Sequence, residues 1–354
     1  MGFFKRLQKA LKVSERKPTS RILLEYLKFK IFNPPIAEQY FKKYLFKKDI
    51  ENFQNYVITH KVLTKMWELN NLNKNYYSIL SNKYNTEQFF SEYNLPVVKS
   101  IARNDGSLFF SEGKITQIND YKNFMDFLLT LRKTGLWQEE HLIIKKLKDT
   151  HGGKNIFKIS ETMLKENQEK ISSVFNIIQS GGYLFQNRLR QHPALDQVNP
   201  YSVNTLRVDT FMNKSGNAEI FSTFLRTSSS KVFVDNAFSG GLFIGIHPET
   251  GRLYKEGFTD FEKGTGQTYL THPQTGLVFE NHQIPCFDDI RKLAKDAAAK
   301  LPRLRIIAWD IAVTPDGPVI IEGNYFSGSG LFNSELTQKG FGNNKVFAQI
   351  LEEI

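Results

Sequence analysis

The order of apolar and polar positions divides the chain into two regimes. From Met1 to about residue 80 the pattern is helical, polar and basic, broken at Asn33-Pro34-Pro35. Phe3, Phe4, Leu7 and Leu11 recur at helical spacing, with Lys5, Lys9 and Lys12 among them. Such a helix either lies on an anionic membrane or docks on its own protein with a solvated basic face; one short helix favours docking. Residues 82–103 read as a helix running into a strand, and 118–134 as a helix with Phe124, Phe127, Leu128 and Leu131 on one face. Leu142–Lys146 predicts a short strand, Lys148–Asn155 a polar glycine-bearing loop, and Ile156–Ile159 another strand. A helix then runs to about residue 178, closed by Gly181-Gly182. Beyond it the pattern is strand-rich, with one clear helix at 288–300 and no internal repeat. Strands alternating with helices and hairpins predict an α+β fold.

The most informative stretch runs from Arg305 to Asn324, where two β-rich runs flank Pro315-Asp316-Gly317, a strong turn signal. A hairpin centred on Asp316 places Asp310 directly opposite Glu322, on one face with Asn324. The other face receives Trp309, Ile311, Val313, Val319 and Ile321, a core face. Opposed carboxylates repel by about 0.2–1 kcal/mol unless something neutralises them. Oxygen donors from Asp, Glu and Asn suit a hard cation such as Mg²⁺; the alternative is two acids on a wet sheet face.

Composition narrows the class without naming it. The apolar share of 40% and charged share of 23% are those of an ordinary globular chain, and no apolar run approaches the ~20 residues that span a bilayer. The start, Met1-Gly-Phe-Phe-Lys-Arg, has neither a secretory core nor a myristoylation serine, so the expectation is a cytoplasmic protein. Cys286 is the only cysteine, which excludes an internal disulfide and a cysteine-rich metal site. Residues 1–50 hold thirteen lysines and arginines against four acids, a net of +9 that leaves only +2 of the total +11 for the rest. That end lacks a recognisable nucleic-acid motif, so a nucleic-acid partner is not expected.

Further candidates lie outside the hairpin. Lys146 ends a predicted strand, and Gly152-Gly153-Lys154-Asn155 follows; an ammonium beside small residues suits a nucleotide, with Lys145 the competing lysine and a plain surface turn the alternative. Asn155 tolerates the left-handed backbone such a loop demands. Arg207 and Arg226 fall in strand-like runs, placed either to clamp phosphate oxygens or to pair with Asp209 or Glu219 at the surface. Asp235-Asn236 with Gly240-Gly241 offers a second polar, glycine-opened spot for acceptor or metal, and His272 is either a base or a turn residue, the turn being favoured because nothing fixes a partner.

Asp310, then Glu322-x-Asn324 on the next strand, resembles the metal-binding signature of ATP-grasp enzymes. More narrowly, His192-Pro-Ala-Leu-Asp-Gln-Val-Asn-Pro-Tyr-Ser-Val-Asn-Thr-Leu-Arg207, Val234-Asp-Asn236 with Gly240-Gly241, and Ala308-Trp-Asp…Ile321-Glu-Gly-Asn324 resemble the sugar-transfer-associated ATP-grasp proteins, related to α-L-glutamate ligases. The resemblance runs from about Lys83 to the end. It implies an ATP-grasp fold at 81–354, with a smaller nucleotide lobe at about 96–183 and a larger metal and substrate lobe at 184–354, preceded by a helical basic region at 1–80. It implies ATP held by Lys83, Lys146, Gly153, Lys154, Gln186 and Asn236, with Gln186 in the hinge where many relatives carry Glu. It further implies two Mg²⁺ ions on Asp310, Glu322 and Asn324, and Arg207 and Arg226 as catalytic residues. The implied reaction joins a small-molecule carboxylate to an amine through an acyl phosphate, with release of ADP and phosphate, in surface-polysaccharide assembly. A sugar kinase and a non-catalytic nucleotide-binding module are the rival readings, and the basic N-terminus suggests peripheral membrane contact at the inner face.

Overall fold

The computed structural model describes residues 1–56, 58–71, 76–148, 155–231, 241–325 and 328–354. In chain order its elements begin with α1 (Phe3–Ala10), α2 (Thr19–Phe32), α3 (Gln39–Lys42), α4 (His60–Asn71), α5 (Tyr77–Ser81) and α6 (Lys83–Glu92). There follow β1 (Ala102–Asp105), β2 (Leu108–Ser111), β3 (Lys114–Gln117), α7 (Tyr121–Lys133), β4 (His141–Lys146), β5 (Ile156–Ser160), α8 (Glu161–Glu166), α9 (Gln168–Ile178) and β6 (Gly182–Asn187). The remainder is α10 (Pro193–Val198), β7 (Thr205–Met212), β8 (Ala218–Ser228), β9 (Gly241–Ile246), β10 (Leu253–Thr259), β11 (Thr268–Tyr269), α11 (Phe287–Ala299), β12 (Ile306–Thr314), β13 (Gly317–Tyr325), α12 (Gly328–Thr337) and α13 (Lys345–Glu353).

These elements form two compact units, one of Ser78–Arg190 and one of Met1–Tyr77 with Gln191–Ile354. The unit of Ser78–Arg190 is built on an antiparallel sheet of order β3-β2-β1-β6-β4-β5. Alternation sends Leu142, Ile144, Tyr183 and Phe185 to one face, where they pack with Phe124, Leu128 and Leu131 of α7 and Ile171, Val174 and Phe175 of α9. Both helices start where a short polar side chain caps them: Asp120 accepts from the Asn123 amide, and Asn167 from that of Lys170. Asn155 takes a φ of 60°, the left-handed conformation expected of an asparagine there.

The other unit holds a seven-stranded antiparallel sheet of order β11-β10-β9-β8-β7-β12-β13. It includes the basic N-terminal residues Met1–Tyr77. Phe3 and Leu7 of α1, with Leu11 just beyond it, pack with Tyr40, Phe41, Tyr44 and Phe46 against Phe224, Phe243 and Phe261 of the sheet layer. So α1 docks on its own protein.

The β12–β13 hairpin differs in register from a simple hairpin centred on Asp316. Thr314 faces Gly317 across a two-residue turn, and Gly317, at φ 117°, takes a backbone that favours glycine. From there to Ile311↔Ile320 the pairing is one residue out of the expected register. A bulge at Ile321 then restores it, so that Asp310 faces Glu322 after all. The consequence is a changed core: Ile320 is fully buried beside Ile311, whereas Val319 and Ile321 are only half-buried.

One buried ion pair ties the N-terminal residues to α12. Lys43, just after α3, meets Glu335 of α12 and donates to the Tyr56 carbonyl at 2.7 Å, both charged side chains being almost wholly inaccessible. Burial pushes the Glu335 carboxyl up to about 7, while Lys43 pulls it down. Removing one member of such a pair strands the other. Lys43→Met should therefore cost about 3–5 kcal/mol in urea denaturation at neutral to alkaline pH, and the double variant Lys43→Met/Glu335→Leu should recover most of it.

Candidate active site

The site in the seven-stranded sheet begins with β12. Asp310 lies in the middle of that strand, facing Arg207 of β7 on one side and Glu322 of β13 on the other. Directly paired residues share a face, so this face carries Arg207, Asp310 and Glu322, with Asn324 opposite Ala308 and Asp209 opposite the same residue. Arg226 of β8, two residues along from the partner of Arg207, completes the row.

Asp310 is the most enclosed of the group. Its Oδ2 accepts from Arg207 at 3.2 Å and from Arg226 at 3.0 Å. Its Oδ1 lies 2.7 Å from Arg207 Nε, an ionic contact off the hydrogen-bond axis, so Oδ1 accepts no aligned bond among the described residues. Burial pushes the Asp310 carboxyl up to about 6; the two arginines oppose this and Glu322 adds to it. Asn324 donates to Glu322 at 3.3 Å. Both arginines pair with Asp310, Arg207 also opposes through its charge the rise that burial gives the Asp209 pKa, and Glu219 binds Lys295.

A cation fits here. Asp310 has an oxygen without an aligned donor, and the two acids face each other. Among the described residues no three His, Cys, Asp or Glu side chains gather. A metal would therefore rest on two carboxylates and an amide, a sparse set that suits Mg²⁺ completing its shell with substrate phosphates and water.

Several buried residues hold this site in place. Asp209 is buried on the same face, accepts from the Ser334 hydroxyl of α12, and is pushed up by burial. A small cavity lined by Arg207, Asp209, Phe221, Ile306, Ala308, Gly330 and Leu331 opens beside it. The run His192–Arg207 proves largely architectural. Gln191 Nε2 donates to Asp196 and to the Asn199 and Ser202 carbonyls. Asn204 Nδ2 donates to Gln191 and to the Leu195 and Asn199 carbonyls. Asn199 Nδ2 reaches the Ser228 carbonyl at the end of β8. These buried amides lock the entry to β7 and hence the position of Arg207. His272 caps its own turn, its Nδ1 accepting from the Gln274 and Thr275 amides, and its Nε2 meets the Ser228 carbonyl at 2.8 Å. Burial lowers its pKa.

In the unit of Ser78–Arg190 the second group of candidates lies on the face opposite the helices. Gln186 faces Ile143, and Lys145 faces Leu184, so Gln186 and Lys145 share that face. Lys146 faces Tyr183 and turns to the helix-covered side. The structure therefore groups Lys145, rather than Lys146, with Gln186. Arg103, opposite Leu184 on β1, joins them, its guanidinium 3.8 Å from the Phe110 ring centre. Lys83 opens α6, and its amide donates to the Leu147 carbonyl at 3.1 Å, which fixes that helix start beside the end of β4. Gly153, Lys154 and Asn236 lie outside the described residues.

Two antiparallel sheets with their helices make a mixed α+β fold. The chain belongs to the sugar-transfer associated ATP-grasp family, whose model matches residues 62–339. Solved structures similar to it include the ADP complex of N5-carboxyaminoimidazole ribonucleotide synthetase, at 12% identity and a TM-score of 0.40, covering 72% of this chain and 47% of that one. D-cycloserine synthetase DcsG is 12% identical with a TM-score of 0.42, covering 78% and 71%. The D-alanine-D-alanine ligase from Coxiella burnetii is 12% identical with a TM-score of 0.36, covering 77% and 61%. The chain thus spans about half the length of the first of these. No curated protein matches it.

The raised Asp310 pKa has a definite sign in stability. An acid held near 6 in the fold against 3.8 ordinarily takes up more protons when folded, so its contribution falls as pH rises between about 4 and 6. Metal-free Asp310→Asn should lack that decline, flattening stability against pH by roughly 1–3 kcal/mol across the window in denaturant titrations.

Proposed function

We propose that the protein is an ATP- and Mg²⁺-dependent carboxylate–amine ligase that modifies a sugar or amino-acid building block of a surface polysaccharide. The observation that carries this reading is the buried Asp310 carboxylate, flanked by Arg207 and Arg226 on one side and by Glu322 and Asn324 on the other. Asp310, Glu322 and Asn324 would hold Mg²⁺, which when bound neutralises the terminal phosphates of ATP. Arg207 and Arg226 orient the transferring phosphoryl group through charged hydrogen bonds and offset its negative charge. An oxygen of the substrate carboxylate bonds to the γ-phosphorus as the bond to the β-phosphate oxygen breaks, and ADP leaves. The amine then bonds to the acyl carbon and loses a proton as phosphate departs. No cysteine or serine nucleophile is required.

Lys145 and Gln186 are assigned to the nucleotide: the ammonium to phosphate oxygens, the amide to adenine or ribose. Lys83 joins them through its position at the end of β4. The sugar connection rests on the family description. Use of ATP points to the cytoplasmic side of the membrane.

A thermal melt with a non-hydrolysable ATP analogue tests this assignment. Wild type should be stabilised only with Mg²⁺, and Asp310→Asn/Glu322→Gln should lose the response. Lys145→Ala should weaken analogue binding by about 10-fold or more, as befits a charged hydrogen bond, while Lys146→Ala changes it little. A wild-type melt indifferent to nucleotide would overturn the reading. In turnover, phosphate left on a sugar would mark a kinase, and binding without turnover a binding module.

A further inference from the structure

The second helix presents a surface that the fold leaves in water. At about 3.6 residues per turn, α2 turns Ile22, Glu25 and Phe29 inward, and all three are buried. Its opposite side carries Leu23, Leu24, Leu27 and Ile31, with exposures of 42%, 62%, 55% and 66%. The spacing i, i+1, i+4, i+8 makes these one continuous stripe. A helix apolar on both sides is ordinarily enclosed on both, and a contiguous exposed apolar stripe marks a docking surface.

The charges around the stripe say what covers it. Lys30 flanks it on one side, and Lys28 and Arg21 on the other, all exposed. The one acid of the helix, Glu25, points inward and is taken up by Lys17, Arg21 and Tyr40 at 2.7, 2.8 and 3.0 Å. Lys28 and Lys30 make no ion pair among the described residues. The outward arc is therefore apolar in the middle and cationic at both edges, with no exposed carboxylate. Phe4, exposed on α1, adds apolar surface nearby, since its neighbour Phe3 packs on Tyr26 of α2 at 4.7 Å. A second copy of the chain laid on this arc would oppose like charges. Anionic lipid complements both parts, acyl chains meeting the leucines and headgroup phosphates meeting the lysines.

We infer that α2 is an interfacial helix that seats the protein on an anionic lipid surface. It inserts Leu23, Leu24, Leu27 and Ile31, with Lys28 and Lys30 at the level of the phosphates. No helix among the described residues is long and apolar enough to cross a membrane, so the contact lies in the plane of the surface. The surface belongs to α2 and not to α1, whose Phe3 and Leu7 are used in the core. It is independent of the ligase assignment.

Flotation of the intact protein with phosphatidylcholine vesicles, with and without phosphatidylglycerol, tests the inference. Wild type should float with the anionic vesicles and remain behind with phosphatidylcholine alone. Leu24→Gln/Leu27→Gln/Ile31→Gln should float about tenfold less or worse, and Lys28→Gln/Lys30→Gln should lose the preference for anionic lipid. Both variants should keep the wild-type melting temperature and the wild-type response to the ATP analogue, because the altered side chains are exposed and outside the site. Failure of the wild type to float, or equal flotation of the triple variant, would overturn the inference. So would self-association by sedimentation that the triple variant abolishes, since a second copy would then cover the stripe.

Discussion

Asp310 is a carboxylate taken out of water, and the surrounding structure answers the cost of doing so. Burial alone would drive it to the neutral acid. Arg207 and Arg226 pull it back toward the charged form, while Glu322 across the hairpin opposes them. The balance leaves the group near 6. Under the proposed function, a cation between Asp310 and Glu322 would remove the repulsion that Glu322 imposes and release the arginines for another anion. In this sense the pairing of the arginines with Asp310 is the resting arrangement of groups that the proposed chemistry turns toward phosphate.

Holding Asp310 in that state requires its neighbours to stay put. The amides of Gln191, Asn199 and Asn204 fix the start of β7, and the bulge at Ile321 keeps Glu322 in line. From the other end, Asp209 is held by Ser334, the residue beside Glu335, and Glu335 is held by Lys43. The N-terminal residues therefore reach the site through α12 and act as part of its scaffold, although the family match begins only at residue 62.

Much of this was legible in the sequence because β-alternation is simple. The facing of Asp310 and Glu322, the shared face of Asn324, the α+β class and the helices at α7 and α11 follow from periodicity and turn residues alone. What alternation cannot see is an extra residue. The bulge at Ile321 brought Ile320 into the core instead of Val319 and Ile321, and left the Asp310 pairing correct by compensation of a shifted turn. Which of Lys145 and Lys146 shares a face with Gln186 depends on the pairing of β4 with β6, which no local pattern specifies. The partners of Arg207 and Arg226 were equally out of reach, since they lie on a strand a hundred residues or so away in the chain. The apolar stripe of α2 was present in the sequence. It could not be told from a core face until the fold showed which side of the helix was already in use.

Proton counting during ligand binding tests the account at its centre. Calorimetric titration of Mg²⁺ with the ATP analogue, run near pH 6 in two buffers of different ionisation enthalpy, reports the protons released on binding. If Asp310 is half-protonated there and must ionise to take the metal, roughly half a proton should leave, and Asp310→Asn should abolish the release. Binding at full strength with no net proton release would contradict the account, for it would mean that the metal does not rest on the buried carboxylate.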